Sequence, residues 1–435
     1  MNIEDILYPF LNYYNRSPKW VRIISGKIYR AIPLRLRYGK LYNYYSNLIS
    51  QTQYYEDEKK NSFIIENLKK TFINAYENTD YYKAIFNKVG FDPYTFNNIE
   101  MLKLLPFSDK TILRENKQQI KNKNISEAKL LYSTTGGTSG IPIEVFLVKG
   151  RERTREYVFM TDQWKRIGYK FSDRIAVLRG TVVDHNKENI FFKYEPIKNR
   201  LLLSNYDLYE SNYNLYISKL ISFKPHFIHT YPSAIIVLAK YIISNNIQFE
   251  GLKGIFCSSE QLYPGQREII EKAFNTRVFS WYGHTEGTTL AGECEVSNHY
   301  HIFFEYGFTE LIDEKGNVIT EPGKVGEIVG TSFEFTGFPI IRYRTGDYAE
   351  YVGEKCKCGR NYTLIKNVQG RWKQEQIITY KDSKISMTSL NMHSDLFDNV
   401  VQYQFHQKEK GKVLLKVIKK PNYTLQDETK IYKEF

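Results

Sequence analysis

The stretch YSTTGGTSGIPIE at 132–144 sets hydroxyls around three glycines. It follows the strand-like KLLYS, so several backbone N–H groups can turn toward one anion, and glycine lets that backbone approach a phosphate closely. The loop comprises Thr134, Thr135, Gly136, Gly137, Thr138, Ser139 and Gly140. It is not a Walker A loop: Gly140 is followed by Ile141-Pro142, and Pro142 disfavours an immediate helix start. By itself the stretch reads equally well as an ordinary turn.

A second stretch, WYGHTEG at 281–287, follows the strand-like RVFS and puts an aromatic ring, a hydroxyl and a carboxylate at a strand end. Strand ends of α/β sheets are where ligands bind. Tyr282, beside Gly283, can stack on a base, Thr285 can donate to a phosphate, and Glu286 can hold a hard cation such as Mg²⁺. His284 lies in the same motif, with a positioning role as open as an acid–base one. A third stretch, PIIRYRTGD at 339–347, ends on Asp347, whose carboxylate can accept both hydroxyls of a ribose. A fourth, Cys356-Lys357-Cys358-Gly359, places two thiols on one side of an extended segment. With Cys294 and either His299 or His301 they make a Cys₃His set suited to a closed structural zinc site. Unliganded thiols or a redox pair are the competing readings.

These stretches sit in a definite order of elements. Residues 1–125 read as helices and connectors, FIIENLKKTFINAYENTDYYKAIF carrying the three-to-four spacing of apolar residues. From 126 to 370, short β-rich runs (AKLLYST, RIAVLRG, HFIHTY, GIFCSS, RVFSWYG) alternate with helical ones such as PSAIIVLAKYIISNN and GQREIIEKAF, which predicts an α/β domain with a substantially parallel sheet. After residue 300 the pattern becomes antiparallel strands joined by glycine-containing turns. GRWKQE at 370–375 is the expected hinge, opening a short module over 371–435. Cys257 in GIFCSS reads as core, and Trp20, Trp164, Trp281 and Trp372 read as packing residues.

The 435 residues carry a formal net charge of +13 and 42% hydrophobic residues, enough for a real core and for an anionic partner. No basic–aromatic array recurs, so nucleic acid is not expected. No apolar run reaches spanning length, no signal-peptide core is present, and four cysteines are too few for a secreted scaffold of this length; the expected location is the cytoplasm. ILYPFLNYY and WVRIISGKIYRAIPLRLRYGK mix apolar and basic residues as an interfacial helix would, so any membrane contact is expected to be peripheral.

Taken together and in this order, the motifs resemble the adenylate-forming superfamily, and within it the phenylacetate–coenzyme A ligase and CapK-like proteins associated with capsular polysaccharide synthesis. The resemblance covers most of the chain, including NAYENTDYYKAIFNKVGFDP, LLPFSDKTILREN, HTYPSAI, FCSSEQLYPGQRE and EPGKVGEIVGTS. It implies a large multi-lobed domain with mainly parallel sheets and an antiparallel portion, followed by a short C-terminal lid. It assigns 134–140 to the phosphate loop of ATP, Tyr282 to adenine, Thr285 to the α-phosphate, Glu286 to Mg²⁺, and Asp347 with Arg371 to the ribose. His229, Tyr231, Pro232 and Ser233 fall where related chains line the acid pocket, Lys373 falls at the hinge, and a similar cysteine cluster favours His301 as the fourth zinc ligand. The implied activity is activation of a carboxylic acid as an acyl-adenylate with transfer to coenzyme A or another acceptor, and a homodimer is compatible with it.

Two departures stand against this pattern. Ile141 occupies a place where many superfamily members carry lysine. The lid is expected to be cut short at DETKIYKEF, and none of Lys419, Lys420, Lys430 and Lys433 lies in a recognisable equivalent of the lysine that reaches the α-phosphate in the family. An active ligase, a catalytically degenerate nucleotide-binding partner and a truncated gene product are the three resulting expectations.

Overall fold

In the helix Asp57–Asn78, Ile64, Leu68, Phe72 and Ala75 recur every three or four residues and are all buried, as the periodicity requires. Thr79 interrupts the run with an extended backbone, and its Oγ1 accepts from Tyr82 N at 3.3 Å to cap the next helix, Asp80–Val89. That helix stops at Gly90, whose φ of 67° is the left-handed conformation glycine adopts without steric cost. Phe72 makes edge-to-face contacts with Phe86, Phe91 and Phe96, so the helical lobe is fastened by aromatic packing.

The computed structural model describes residues 10–134, 143–179, 191–205, 207–370, 376–378, 380, 384–386 and 399–434. Its principal feature is a 12-stranded mixed sheet. The parallel part comprises β3 (Ile175–Leu178), β5 (Arg200–Leu203), β6 (Phe227–Thr230), β7 (Gly254–Ser258) and β8 (Val278–Gly283). These strands are short and mostly apolar because helices such as Pro232–Ser244 and Gln266–Phe274 pack against them. β4 (Phe192–Glu195) closes one edge antiparallel to β5. On the other side come β9 (Leu290–Gly292), β10 (Tyr300–Ile302), β14 (Thr363–Gln369), β13 (Tyr343–Tyr351), β12 (Val325–Ser332) and β11 (Gly307–Ile312), all antiparallel. The expected parallel and antiparallel parts are thus two halves of one sheet.

β1 (Leu130–Thr134) stays out of it and pairs antiparallel with β2 (Glu144–Val148), Thr134 facing Glu144. This hairpin packs through Phe146 on Phe338, on the segment that runs into β13. Near the chain end, β15 (Gln376–Ile378) pairs with β16 (Lys384–Ser386), and β17 (Val400–Glu409) with β18 (Lys412–Lys419); Val400 and Ile431 form a small core there.

The helical lobe is tied to the sheet by a buried ion pair. Arg342 donates from Nε and Nη2 to Glu310 at 3.1 and 2.9 Å, and from Nη1 to the carbonyls of Leu102 and Leu105. Removing one side of such a pair costs on the order of 3–5 kcal/mol, because the other charge is left buried. Cys257 is fully buried, as expected, and burial pushes its thiol up to about 12. Trp164 is buried too, but Trp20 is 65% exposed and does not pack as expected. Trp372 lies outside the described residues.

Candidate functional site

The residues just beyond the C-terminal ends of β6, β7 and β8 converge on one cavity of about 620 Å³. Ser233 follows β6, Ser259 and Glu260 follow β7, and Tyr282 and Gly283 end β8. Across the cavity stand Tyr343, Thr345 and Asp347 of β13 and Gly370 after β14. A register shift delivers Asp347: β12 and β13 pair at Val329–Arg344 and next at Glu327–Tyr348, so β13 carries extra residues between the two pairs. Gly346, at φ 75°, makes that bulge possible, and its N–H donates to Glu327 Oε1 at 3.1 Å.

Two of the sequence motifs meet directly here. The Tyr282 hydroxyl donates to Asp347 Oδ2 at 2.9 Å, although the residues are 65 positions apart. Glu286 is buried at the wall, accepting from the Tyr343 hydroxyl at 2.9 Å on Oε1 and facing His284 Nδ1 at 3.2 Å on Oε2. His284 Nε2 lies 3.1 Å from Thr288 Oγ1, so the ring is held at both nitrogens, which suits a positioning role. Burial opposes ionisation of Glu286, but the hydrogen bond and charge of His284, with further help from Tyr343, lower it to about 2. A carboxylate kept charged in a partly enclosed wall is what a hard cation requires. Thr285 is exposed to the same cavity.

The other expected positions divide. Ser233 lines the cavity, and its backbone N–H donates to Glu260 Oε2 at 3.0 Å. His229 is buried behind it, edge-on to Trp164, with Nε2 2.9 Å from Arg179 Nη1. Burial and the Arg179 guanidinium hold His229 well below its ordinary value, so it is neutral and accepts at Nε2. Arg179 also donates to Ser259 Oγ at 2.5 Å and covers the Tyr231 ring at 4.9 Å, linking His229 and Tyr231 to the cavity rim. Pro232 opens the helix Pro232–Ser244 as its first residue. Thr134 ends β1, while Thr135, Gly136, Gly137, Thr138, Ser139, Gly140, Arg371 and Lys373 lie outside the described residues. Gly370, directly before Arg371, stands against Asp347: a Cβ there would be 3.6 Å from Oδ1.

Comparison with known proteins places this geometry. No known family profile matches the chain. Protein CapK of Staphylococcus aureus is 27% identical over 427 residues, covering 94% of this chain and 88% of that protein. The phenylacetate–coenzyme A ligase of Thermus thermophilus is 23% identical over 325 residues, covering 72% of this chain and 71% of its own. The solved structure of 2-hydroxyisobutyryl-CoA ligase in the postadenylation state, in complex with 2-HIB-AMP, superposes with a TM-score of 0.69 at 18% identity, over 88% of this chain and 84% of that one. The chain is a homologue of CapK and of the phenylacetate–coenzyme A ligases, with the adenylate-forming fold.

In this homologue the motifs alone missed much of the cavity wall, including Tyr343, Thr345 and Lys110. Tyr343 and Thr345 stand four and two residues before Asp347 on β13, and the alternation of side chains along a strand is the signal that could have found them. Lys110 comes from LLPFSDKTILREN, more than a hundred positions from any other lining residue, at the first turn of a helix capped by Asp109. Among the described lining residues it is the only lysine or arginine.

The cysteine motif also closes up. Cys294, His301, Cys356 and Cys358 offer ligand atoms all within 4.8 Å of one another. Cys294 Sγ lies 3.7 Å from Cys356 Sγ, and Cys358 Sγ lies 3.4 Å from His301 Nε2. A tetrahedral zinc with ordinary bond lengths asks for about 3.8 and 3.5 Å between those atoms. His301 Nδ1 is 3.0 Å from the His299 carbonyl, which fixes the tautomer with Nε2 as the free lone pair. His299 therefore supplies a backbone oxygen to the arrangement, and His301 the ligand-type nitrogen. Val296 N–H and Cys358 N–H donate to the Cys294 and Cys356 sulfurs, as suits thiolates.

Proposed function

We propose that this chain activates a carboxylic acid with ATP, forming an acyl-adenylate, and passes the acyl group to coenzyme A or another acceptor. A carboxylate oxygen attacks the α-phosphorus, the bond to pyrophosphate breaks, and a thiol then attacks the acyl carbon and expels AMP. The carrying observation is that Tyr282, Thr285, Glu286 and Asp347, from two distant motifs, line one cavity at the C-terminal ends of parallel strands. In this reading Tyr282 faces adenine, Asp347 the ribose, Thr285 the α-phosphate and Glu286 the Mg²⁺, while 134–140 surround the outer phosphates and Arg371 adjoins the ribose. Lys110 supplies a cation at the cavity wall, where the loop itself has Ile141, and residues from Arg371 onward form the lid, hinged at Lys373. A role in surface polysaccharide synthesis rests on the likeness to CapK. Zinc on Cys294, His301, Cys356 and Cys358 is structural, since four protein ligands leave no open position.

The test is acid-dependent ATP–pyrophosphate exchange across a broad panel of acids. No exchange by protein that measurably binds ATP or AMP would reject the enzyme and favour the degenerate binding partner. Two variants locate the nucleotide. Asp347→Asn removes a charge-assisted contact worth about 1.5–3 kcal/mol, so KM for ATP rises roughly 10- to 100-fold in the exchange assay. Lys110→Met lowers kcat/KM for ATP by a similar factor, roughly 10- to 100-fold, measured in the same exchange assay on protein shown to be folded by circular dichroism.

A further inference from the structure

Arg174 stands immediately before β3, at the end of that strand away from the nucleotide cavity, and lines a separate hollow of about 570 Å³. Lys19 and Arg22 reach the same hollow from the helix Lys19–Ala31, Lys193 from β4, and Lys219 from the helix Tyr213–Phe223. Packing brings the first helix there. Gly26 lies so close to Pro196, itself part of the wall, that a Cβ would fall 2.6 Å from the Pro196 carbonyl, and Arg30 Nη1 donates to the Pro196 oxygen. Positions 19, 22, 26 and 30 share one helix face, so fixing Gly26 and Arg30 turns Lys19 and Arg22 inward. Trp20, Ile24 and Ile28 form an exposed stripe on the opposite face.

These five cations lack a counterion. Among the described residues the lining holds no acid, and none of the five makes an ion pair. The acids beside them in sequence are engaged elsewhere: Asp173 faces His226 Nδ1 at 2.8 Å and Lys253 Nζ at 3.5 Å, and Glu195 accepts from the Lys198 N–H at 3.2 Å. Arg174 Nε donates to the Lys224 carbonyl at 2.7 Å, which pins the guanidinium to the wall through one nitrogen. Lys219 Nζ is held 4.0 Å from the centroid of the Phe192 ring. Arg22 Nε is buried with no hydrogen-bond partner among the described residues. Like charges gathered around a concave site repel one another and focus a positive potential into it, and a buried donor without an acceptor adds to that cost. A ligand with several negative charges and many acceptor oxygens relieves both. A bilayer that takes up the stripe leaves the hollow on the other side of the helix, and no helix among the described residues is long and apolar enough to cross a membrane. A single small anion neutralises only a minority of the five charges, whereas adjacent phosphates in one chain match most of them.

We propose that this hollow is a ligand site separate from the nucleotide cavity, binding a compact oligophosphate, inorganic or carried by a nucleotide, through Lys19, Arg22, Arg174, Lys193 and Lys219.

Calorimetric titration of the full chain with inorganic tripolyphosphate, and separately with ATP, tests it at fixed ionic strength. The expected result is one tripolyphosphate-binding event at least about tenfold tighter than sulfate binding, weakening as salt is raised. Lys193→Gln with Lys219→Gln lowers the affinity of that event about tenfold or more, while Lys110→Met leaves it unchanged. The ligand-free melting temperature of the double variant is the same or higher, because repulsion is relieved, where a purely structural pair of lysines would lower it. An ATP equivalent lost in the double variant identifies a nucleotide as a bearer of the phosphates, and loss confined to tripolyphosphate identifies the inorganic chain. ATP–pyrophosphate exchange stays at the wild-type level in the double variant. Absence of exchange in both proteins therefore bears on the nucleotide cavity alone. Equal tripolyphosphate binding by wild type and double variant, or sulfate bound as tightly, overturns the proposal. So does binding of phosphatidylglycerol vesicles or of a single-stranded oligonucleotide that the double variant loses while tripolyphosphate is not bound, which assigns the hollow to a polymeric or membrane anion.

Discussion

Glu286→Gln is expected to abolish magnesium-dependent ATP–pyrophosphate exchange, with a fall of at least about 10²-fold. Glutamine keeps the shape and the oxygen that accepts from Tyr343, so the wall of the cavity stands and only the charge is lost. Because the carboxyl is lowered to about 2, the ordinary value lying above it, its ionised form contributes from pH 4.5 upward and is lost only as pH falls through about 2. Loss of exchange between about pH 5 and 9 would then have its origin in another group. Binding of ATP without magnesium should survive in the variant. Full exchange activity in Glu286→Gln would remove Glu286 from the reaction and with it the motif assignment.

The second large effect concerns the cysteine cluster. Purified protein is expected to carry about one equivalent of zinc, and Cys356→Ser with Cys358→Ser to lose it. Apparent zinc affinities in small Cys/His sites reach about 10–16 kcal/mol, comparable with the whole net stability of a domain, so the loss cannot be absorbed without structural change. The four ligands join the segment after β9, β10 itself and the connection between β13 and β14. Their separation therefore loosens the strands that hold the 284–289 loop on one side and Asp347 on the other. The double variant should melt lower by roughly 2–4 °C for each kcal/mol lost and lose exchange activity with it. Metal analysis well below one equivalent, with all thiols titratable in native protein, would sink the zinc assignment.

Local chemistry alone determined much of this protein. The helix period of Asp57–Asn78, the strand–helix alternation through β8 and the grouping of hydroxyl, glycine and carboxylate into short motifs were all readable, because each depends on residues within one or two turns of one another. So was the pairing of Cys356 with Cys358, two residues apart. Only the tertiary structure decided which distant residues share a wall. β14 lies between β13 and β10, an insertion out of chain order, and that places Asp347 across from Tyr282 and sets Cys356 beside Cys294. The choice of His301 over His299, the structural use of Arg342, the arrival of Lys110 and the outward stripe of Lys19–Ala31 follow from the same cause. Each depends on which surfaces meet after long loops close, and spacing along the chain carries no record of that.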